Sequence, residues 1–90
     1  KEIENVLHRH PAVAECAVFG VPDDTWGEVV AAHICLRHNE SADTADLQAF
    51  CEQNLARFKL PKILQIVDDL PKTPIGKIQK NILRDMYLQS

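Results

Sequence analysis

The side chains best suited to chemistry lie close together: Lys72, Lys77, Lys80 and Arg84 fall within thirteen positions that hold no acidic residue. The whole chain carries a formal net charge of -3, so a local run of four cations marks a place where an anion would be met. The flanking residues aim one of the four. Pro71 and Pro74 each fix a backbone φ and remove a donor, and Thr73, preceding a proline, is pushed towards an extended conformation. Gly76 opens conformations closed to other residues, so the chain can turn sharply just before Lys77. The pattern puts Lys77 and Lys80 at the beginning of a helix, where the macrodipole disfavours cations and an anionic ligand would reverse the balance. It is not a Walker-type phosphate loop, because there is one glycine and no Ser or Thr follows Lys77. A solvated basic face is the plain alternative.

Other candidates carry weaker signals. Trp26 stands in a turn-forming stretch, Pro22-Asp23-Asp24-Thr25-Trp26-Gly27-Glu28, where an aromatic can equally belong to the core. His33 and Cys35 share one face of a strand, and His8 and His10 lie near a helix end. No ligand spacing for a metal emerges from them, and no metal site is expected. Asp68-Asp69 reads as a strand-end turn rather than a catalytic carboxylate pair. Cys16, Cys35 and Cys51 are an odd number without a C-x-x-C pair, each in an apolar stretch. A reducing compartment, the cytoplasm, is therefore the expectation. No apolar run nears the roughly 20 residues needed to span a bilayer.

Ninety residues suffice for one small domain, and 46% hydrophobic with 26% charged residues is the composition of a globular chain. The opening on Lys1, already in helical register by Ile3, reads as a piece of something longer. Ile3, Val6, Leu7 and His10 have the spacing of a helix with one buried face, ended by Pro11. Val13 to Val21 and Val29 to Leu36 read as two strands of a hairpin. Ser41 or Asp43 caps a second helix whose apolar face (Leu47, Phe50, Cys51, Leu55) continues to Phe58. Lys62 to Val67 is a third, short strand, and Ile78, Ile82, Leu83 and Met86 give a last helix. The expected fold is α+β: a small three-stranded sheet, at least partly antiparallel, flanked by helices.

The segment from Leu70 to Arg84, with its Pro-Lys-Thr-Pro-Ile-Gly-Lys-Ile core, resembles the C-terminal signature of the adenylate-forming superfamily: acyl- and aryl-CoA synthetases, amino-acid adenylation domains and beetle luciferases. Three further stretches resemble it in the right order, Glu2 to Val13, Val18 to Glu28 and Phe58 to Lys62, so the likeness covers essentially the whole chain. The Gly-Lys-Ile-x-Lys-x-x-Leu-Arg ending is more similar to acyl-CoA synthetases than to peptide-synthetase adenylation domains.

The resemblance implies that residues 1–90 are a C-terminal lid domain working with its own large N-terminal domain. The full-length protein would be an acid–CoA ligase using ATP with Mg, bound mainly by the N-terminal domain, and then CoA. Lys77, with Gly76 beside it, would reach the carboxylate and α-phosphate during adenylation. Rotation of the domain would then present a second face, Trp26, Phe58 and Lys62, to CoA. Relatives can carry a basic residue where this chain has Leu60, with Lys59 the nearest substitute. The piece alone is expected to be inactive. The alternatives are the lid of an amino-acid adenylation domain loading a carrier protein, or a non-catalytic anion- or nucleic-acid-binding module. Few aromatics and mild acidity weigh against the latter.

Overall fold

The computed structural model describes residues 1–89. Their order is α1 (Glu2–His8), β1 (Val13–Asp23), β2 (Gly27–Leu36), α2 (Thr44–Asn54), a 3-10 turn (Arg57–Lys59), β3 (Ile63–Ile66) and α3 (Lys80–Leu88). The sheet runs β1-β2-β3, with β1 antiparallel and β3 parallel to the central β2. The parallel pair needs a crossover, which α2 supplies.

β2 is central because it can be covered on both sides. Its residues Ala31, Ala32, His33, Ile34 and Cys35 are all buried, a near-continuous apolar run with small residues where neighbours come close. Alternation divides the core in two. Cys16, Ala32 and Ile34 face α1 and α2 together with Leu7, Leu47 and Cys51. Ala17, Phe19, Val21, Ala31 and Cys35 face the other way, under Leu70 and the Leu83 of α3. A bulge between Val13 and Glu15 shifts the register, which lets Val13 join the first core while Glu15 pairs opposite Cys35.

Several boundaries differ from the sequence expectation. The second helix ends at Asn54 rather than running on to Phe58: Leu55 is extended, and Arg57–Lys59 form a separate 3-10 turn. Phe58 is consequently 85% exposed instead of continuing the apolar face. The cap is Asp43, whose carboxylate accepts the Asp46 N–H at 2.8 Å while Asp46 accepts the Asp43 N–H at 3.2 Å. The last helix begins at Lys80, so Lys77 lies in the loop ahead of it and not in its first turn. Its inner face uses Leu83 and the half-buried Tyr87, leaving Ile82 and Met86 exposed. Trp26 is 71% exposed and is no part of the core. No helix among the described residues is long and apolar enough to cross a membrane.

Candidate functional site

The loop carrying Lys77 is a miniature hairpin. Lys72 and Ile78 form an isolated antiparallel bridge, and the Gln79 N–H reaches the Pro71 carbonyl at 2.8 Å. At its tip Thr73 makes three bonds. Its N–H donates to the Lys77 carbonyl (2.8 Å), its carbonyl accepts the Gly76 N–H (2.9 Å), and its hydroxyl accepts the Lys77 N–H (3.1 Å). Pro74 and Ile75 fill the turn and Gly76 follows at φ 89°, the left-handed position that closes a three-residue loop. Two prolines, a bridge and a threonine thus leave this loop little freedom.

The four cations of the basic run divide sharply. Lys72 pairs with Glu15 of β1 at 2.8 Å and with Asp69 at 3.4 Å. The bond to Glu15 raises the Lys72 pKa above its ordinary value. Asp69, which also accepts the Leu70 N–H, is lowered by that bond and by Lys72. Lys80 pairs with Glu4 of α1 at 2.6 Å. Arg84 donates from Nε to the Gly20 carbonyl of β1 at 2.7 Å. Lys77 is exposed, and its ammonium has no partner among the described residues. It overlooks an open concavity of about 540 Å³ lined by Thr73, Lys77, Ile78, Gln79, Lys80 and Asn81. Three cations are structural; one is available.

A second cluster brings together the other three candidates. Trp26 is set by the turn between β1 and β2, where the Asp23 carboxylate accepts the N–H groups of Thr25 (3.0 Å) and Trp26 (2.9 Å) and Gly27 takes φ 82°. Phe58 comes from the 3-10 turn and Lys62 from the entry to β3. The three line a shallow groove of about 270 Å³ with Glu28, Val29, Val30 and Leu60. The Lys62 ammonium stands 6.0 Å from the Trp26 ring centre, within reach of a cation–π attraction. Lys59, the substitute considered for Leu60, is instead bonded to Glu2 at 2.9 Å. The groove shares no lining residue with the concavity at Lys77.

Sequence reasoning missed the partners of the basic run. Glu4, Glu15 and Gly20 are distant in sequence from α3, and no periodicity links them. The thiols sit where reactivity is lowest: burial pushes Cys16 up to about 12 and raises Cys35 and Cys51 as well.

Residues 2–77 match the AMP-binding enzyme C-terminal domain. The chain belongs to that family. As an AMP-binding enzyme C-terminal domain it is 48% identical over 86 residues to a 2-succinylbenzoate–CoA ligase of Listeria monocytogenes, which covers 96% of this chain and 18% of that protein. It is 44% identical over 86 residues to the fatty acid–[acyl-carrier-protein] ligase ScoC of Streptomyces coeruleorubidus, covering 96% of this chain and 17% of that one. Among solved structures it superimposes on ATP-bound MatB from Rhodopseudomonas palustris with a TM-score of 0.89 at 41% identity, over 96% of this chain and 17% of that chain. The chain therefore spans less than a fifth of the length of these relatives.

Proposed function

We propose that this AMP-binding enzyme C-terminal domain is the lid of an ATP-dependent acyl-CoA ligase, a protein that adenylates a carboxylic acid and then forms its CoA thioester, releasing AMP and pyrophosphate. The observation that carries the reading is the ammonium of Lys77, without a partner among the described residues, at the tip of a stiff hairpin, while Lys72, Lys80 and Arg84 around it are engaged. When a carboxylate attacks the α-phosphate of ATP, negative charge gathers on both groups, and a compact ammonium brought between them stabilises it. With no competing partner among the described residues, the Lys77 ammonium is available to meet that charge. The Trp26, Phe58 and Lys62 groove offers what the second half-reaction needs: ring faces for a nucleotide base and a cation for a phosphate. That the two clusters share no residue suits a lid that presents them in turn by rotating against its N-terminal partner, as the family resemblance implies, a gating role rather than chemistry within the lid.

ATP would come with Mg2+. Among the described residues no group of three His, Cys, Asp or Glu side chains could hold a metal. The buried thiols suit a reducing compartment, and the cytoplasm is the proposed location.

The test is Lys77→Ala in the full-length enzyme with the half-reactions assayed separately. Adenylation should fall about 100- to 1000-fold, the usual effect of removing one preorganised charge. Thioester formation from supplied acyl-adenylate should persist. An equal fall in both would overturn the assignment, and a product found on a carrier protein instead of CoA would replace the acceptor.

A further inference from the structure

The Lys77 hairpin is joined to the body of the domain by side chains on its entering stem and at the start of α3 just after it, and these ties converge, directly or through Glu4 of α1, on β1. On the entering stem Lys72 pairs with Glu15 at 2.8 Å. At the start of α3, directly after the leaving stem, Lys80 pairs with Glu4 at 2.6 Å, and the same Glu4 Oε2 accepts the Val18 N–H at 3.0 Å. One turn further on, Arg84 holds the Gly20 carbonyl at 2.7 Å. β1 is an edge strand, paired with β2 alone, so the outward N–H of Val18 and carbonyl of Gly20 have no strand to bond. Glu4 and Arg84 cap those groups and tie α1 and α3 to the same edge.

We propose that Glu4 and Glu15 are positioning residues for Lys77, two carboxylates that hold the hairpin so that the backbone carrying its free ammonium keeps one orientation on the domain. This rests on the reading of Lys77 given above. The geometry favours aim over stability. Glu15 and Lys72 keep about a third of their side-chain surface in water (36% and 30%), and partly exposed pairs add little to global stability. Glu4 is better enclosed, at 18% side-chain exposure, and is held from two sides. Burial pushes its carboxyl up, but the bonds from Lys80 and Val18 outweigh this and bring it below its usual value. A charged, immobile Glu4 is thus present throughout the neutral range. Within the hairpin, Thr73 and Gly76 define the shape; the two ion pairs define where that rigid shape points. A tip displaced by about 1 Å can cost as much as 100-fold in rate although nothing at the reacting atoms has changed.

The experiment uses the full-length enzyme with Glu4→Gln, Glu15→Gln, Lys80→Met and Lys80→Arg. Glu4→Gln keeps a carbonyl oxygen for the Val18 N–H while losing the charge. In Glu4→Gln and Lys80→Met, kcat for adenylation should drop about 10-fold with KM for ATP within about twofold, because the ammonium is present but less often in place. Melting temperature should fall by a few degrees at most, since Glu4 loses its charge but keeps its oxygen for Val18; thioester formation from supplied acyl-adenylate should stay at the wild-type value, Lys80→Arg should restore adenylation, and the Glu4→Gln, Glu15→Gln pair should be slower than either alone. Wild-type adenylation in Glu4→Gln, or equal slowing of both half-reactions, would overturn the proposal. Failure of the underlying reading looks different: Lys77→Ala itself would then adenylate normally.

Discussion

Lys62 and Trp26 meet across the mouth of a groove, ammonium to ring centre 6.0 Å, although one belongs to the entry of β3 and the other to the β1–β2 turn. The arrangement leaves Trp26 71% and Phe58 85% exposed, a large cost in hydration for two aromatics unless something covers them. Replacing Trp26, Phe58 and Lys62 together by alanine in the full-length enzyme should raise the KM for CoA about 10- to 100-fold, since stacking on an aromatic is worth about 1–3 kcal/mol per base. Adenylation, which on the proposed function draws on the Lys77 cluster, should be unaffected. An unchanged CoA dependence would remove the groove from the mechanism.

Gly76 tests the hairpin itself. A Cβ there would meet nothing within 4 Å, so substitution by alanine creates no clash with neighbours. The cost lies in the backbone, because φ is 89° and a left-handed residue other than glycine costs about 1–2 kcal/mol. Gly76→Ala should therefore reshape the turn that carries Lys77, slow adenylation about 10-fold and lower the melting temperature by several degrees. Gly76→Asn, better tolerated at positive φ, should lie between alanine and wild type. Equal rates for all three would mean that the turn shape is irrelevant.

Most of the fold was legible in the sequence because its signals are local. Val13 to Leu36 declares a hairpin by two apolar runs around Pro22-Asp23, and Asp43 followed by Asp46 declares a helix start. The run to Phe58 misled because helical spacing persists past Asn54, whereas Pro61 and the turn before it take the chain out of the helix. Met86 and Tyr87 are neighbours on α3, and a single-residue error in the facing angle exchanged them. At the site, Lys77 and Gly76 stood out from charge and turn chemistry alone. The β1 and α1 partners of Lys72, Lys80 and Arg84 did not, since two ion pairs and a hydrogen bond to a backbone carbonyl between distant elements depend on packing that no spacing announces. The assembly of Trp26, Phe58 and Lys62 into one groove came from family resemblance, and physical periodicity would not have grouped them.

The α2 crossover depends on its cap. The reciprocal bonds between Asp43 and Asp46 satisfy two free N–H groups at the helix start. α2 leads into the turn that sets out Phe58 and Lys62, so its start also supports the groove. Asp43→Ala should lower stability by about 1 kcal/mol, read as a fall of about 4–8 °C in Tm for a domain of this size. No change in Tm would show that packing of Leu47 and Cys51 holds the helix without the cap.

His33 gives the domain an acid-sensitive point. It is 5% exposed on β2, edge-on to Phe19 at 5.0 Å and to Tyr87 at 5.7 Å, and neither ring nitrogen has a hydrogen-bond partner among the described residues. Burial lowers its pKa below the ordinary 6.5, because a charged imidazole here would lose its water without gaining a partner. The direction of the effect follows. Well above pH 6.5 the ring is neutral whether the chain is folded or not, and it contributes no pH dependence. As pH falls below 6.5 the unfolded chain takes up the proton first, so stability drops until the folded-state pKa is passed. The carboxylates whose pKa values lie below normal, Glu4 and Asp69, lose their contributions only at lower pH, under their ordinary 4.5 and 3.8. Thermal melts from pH 8 to pH 5 should therefore show a decline below about pH 6.5 that His33→Phe abolishes, while the loss below pH 4.5 remains in both proteins. The phenylalanine also removes two unpartnered nitrogens, so at pH 7 the variant should be no less stable than wild type and up to about 1 kcal/mol more so. A decline of the same size in His33→Phe would place the acid-sensitive group elsewhere in the domain.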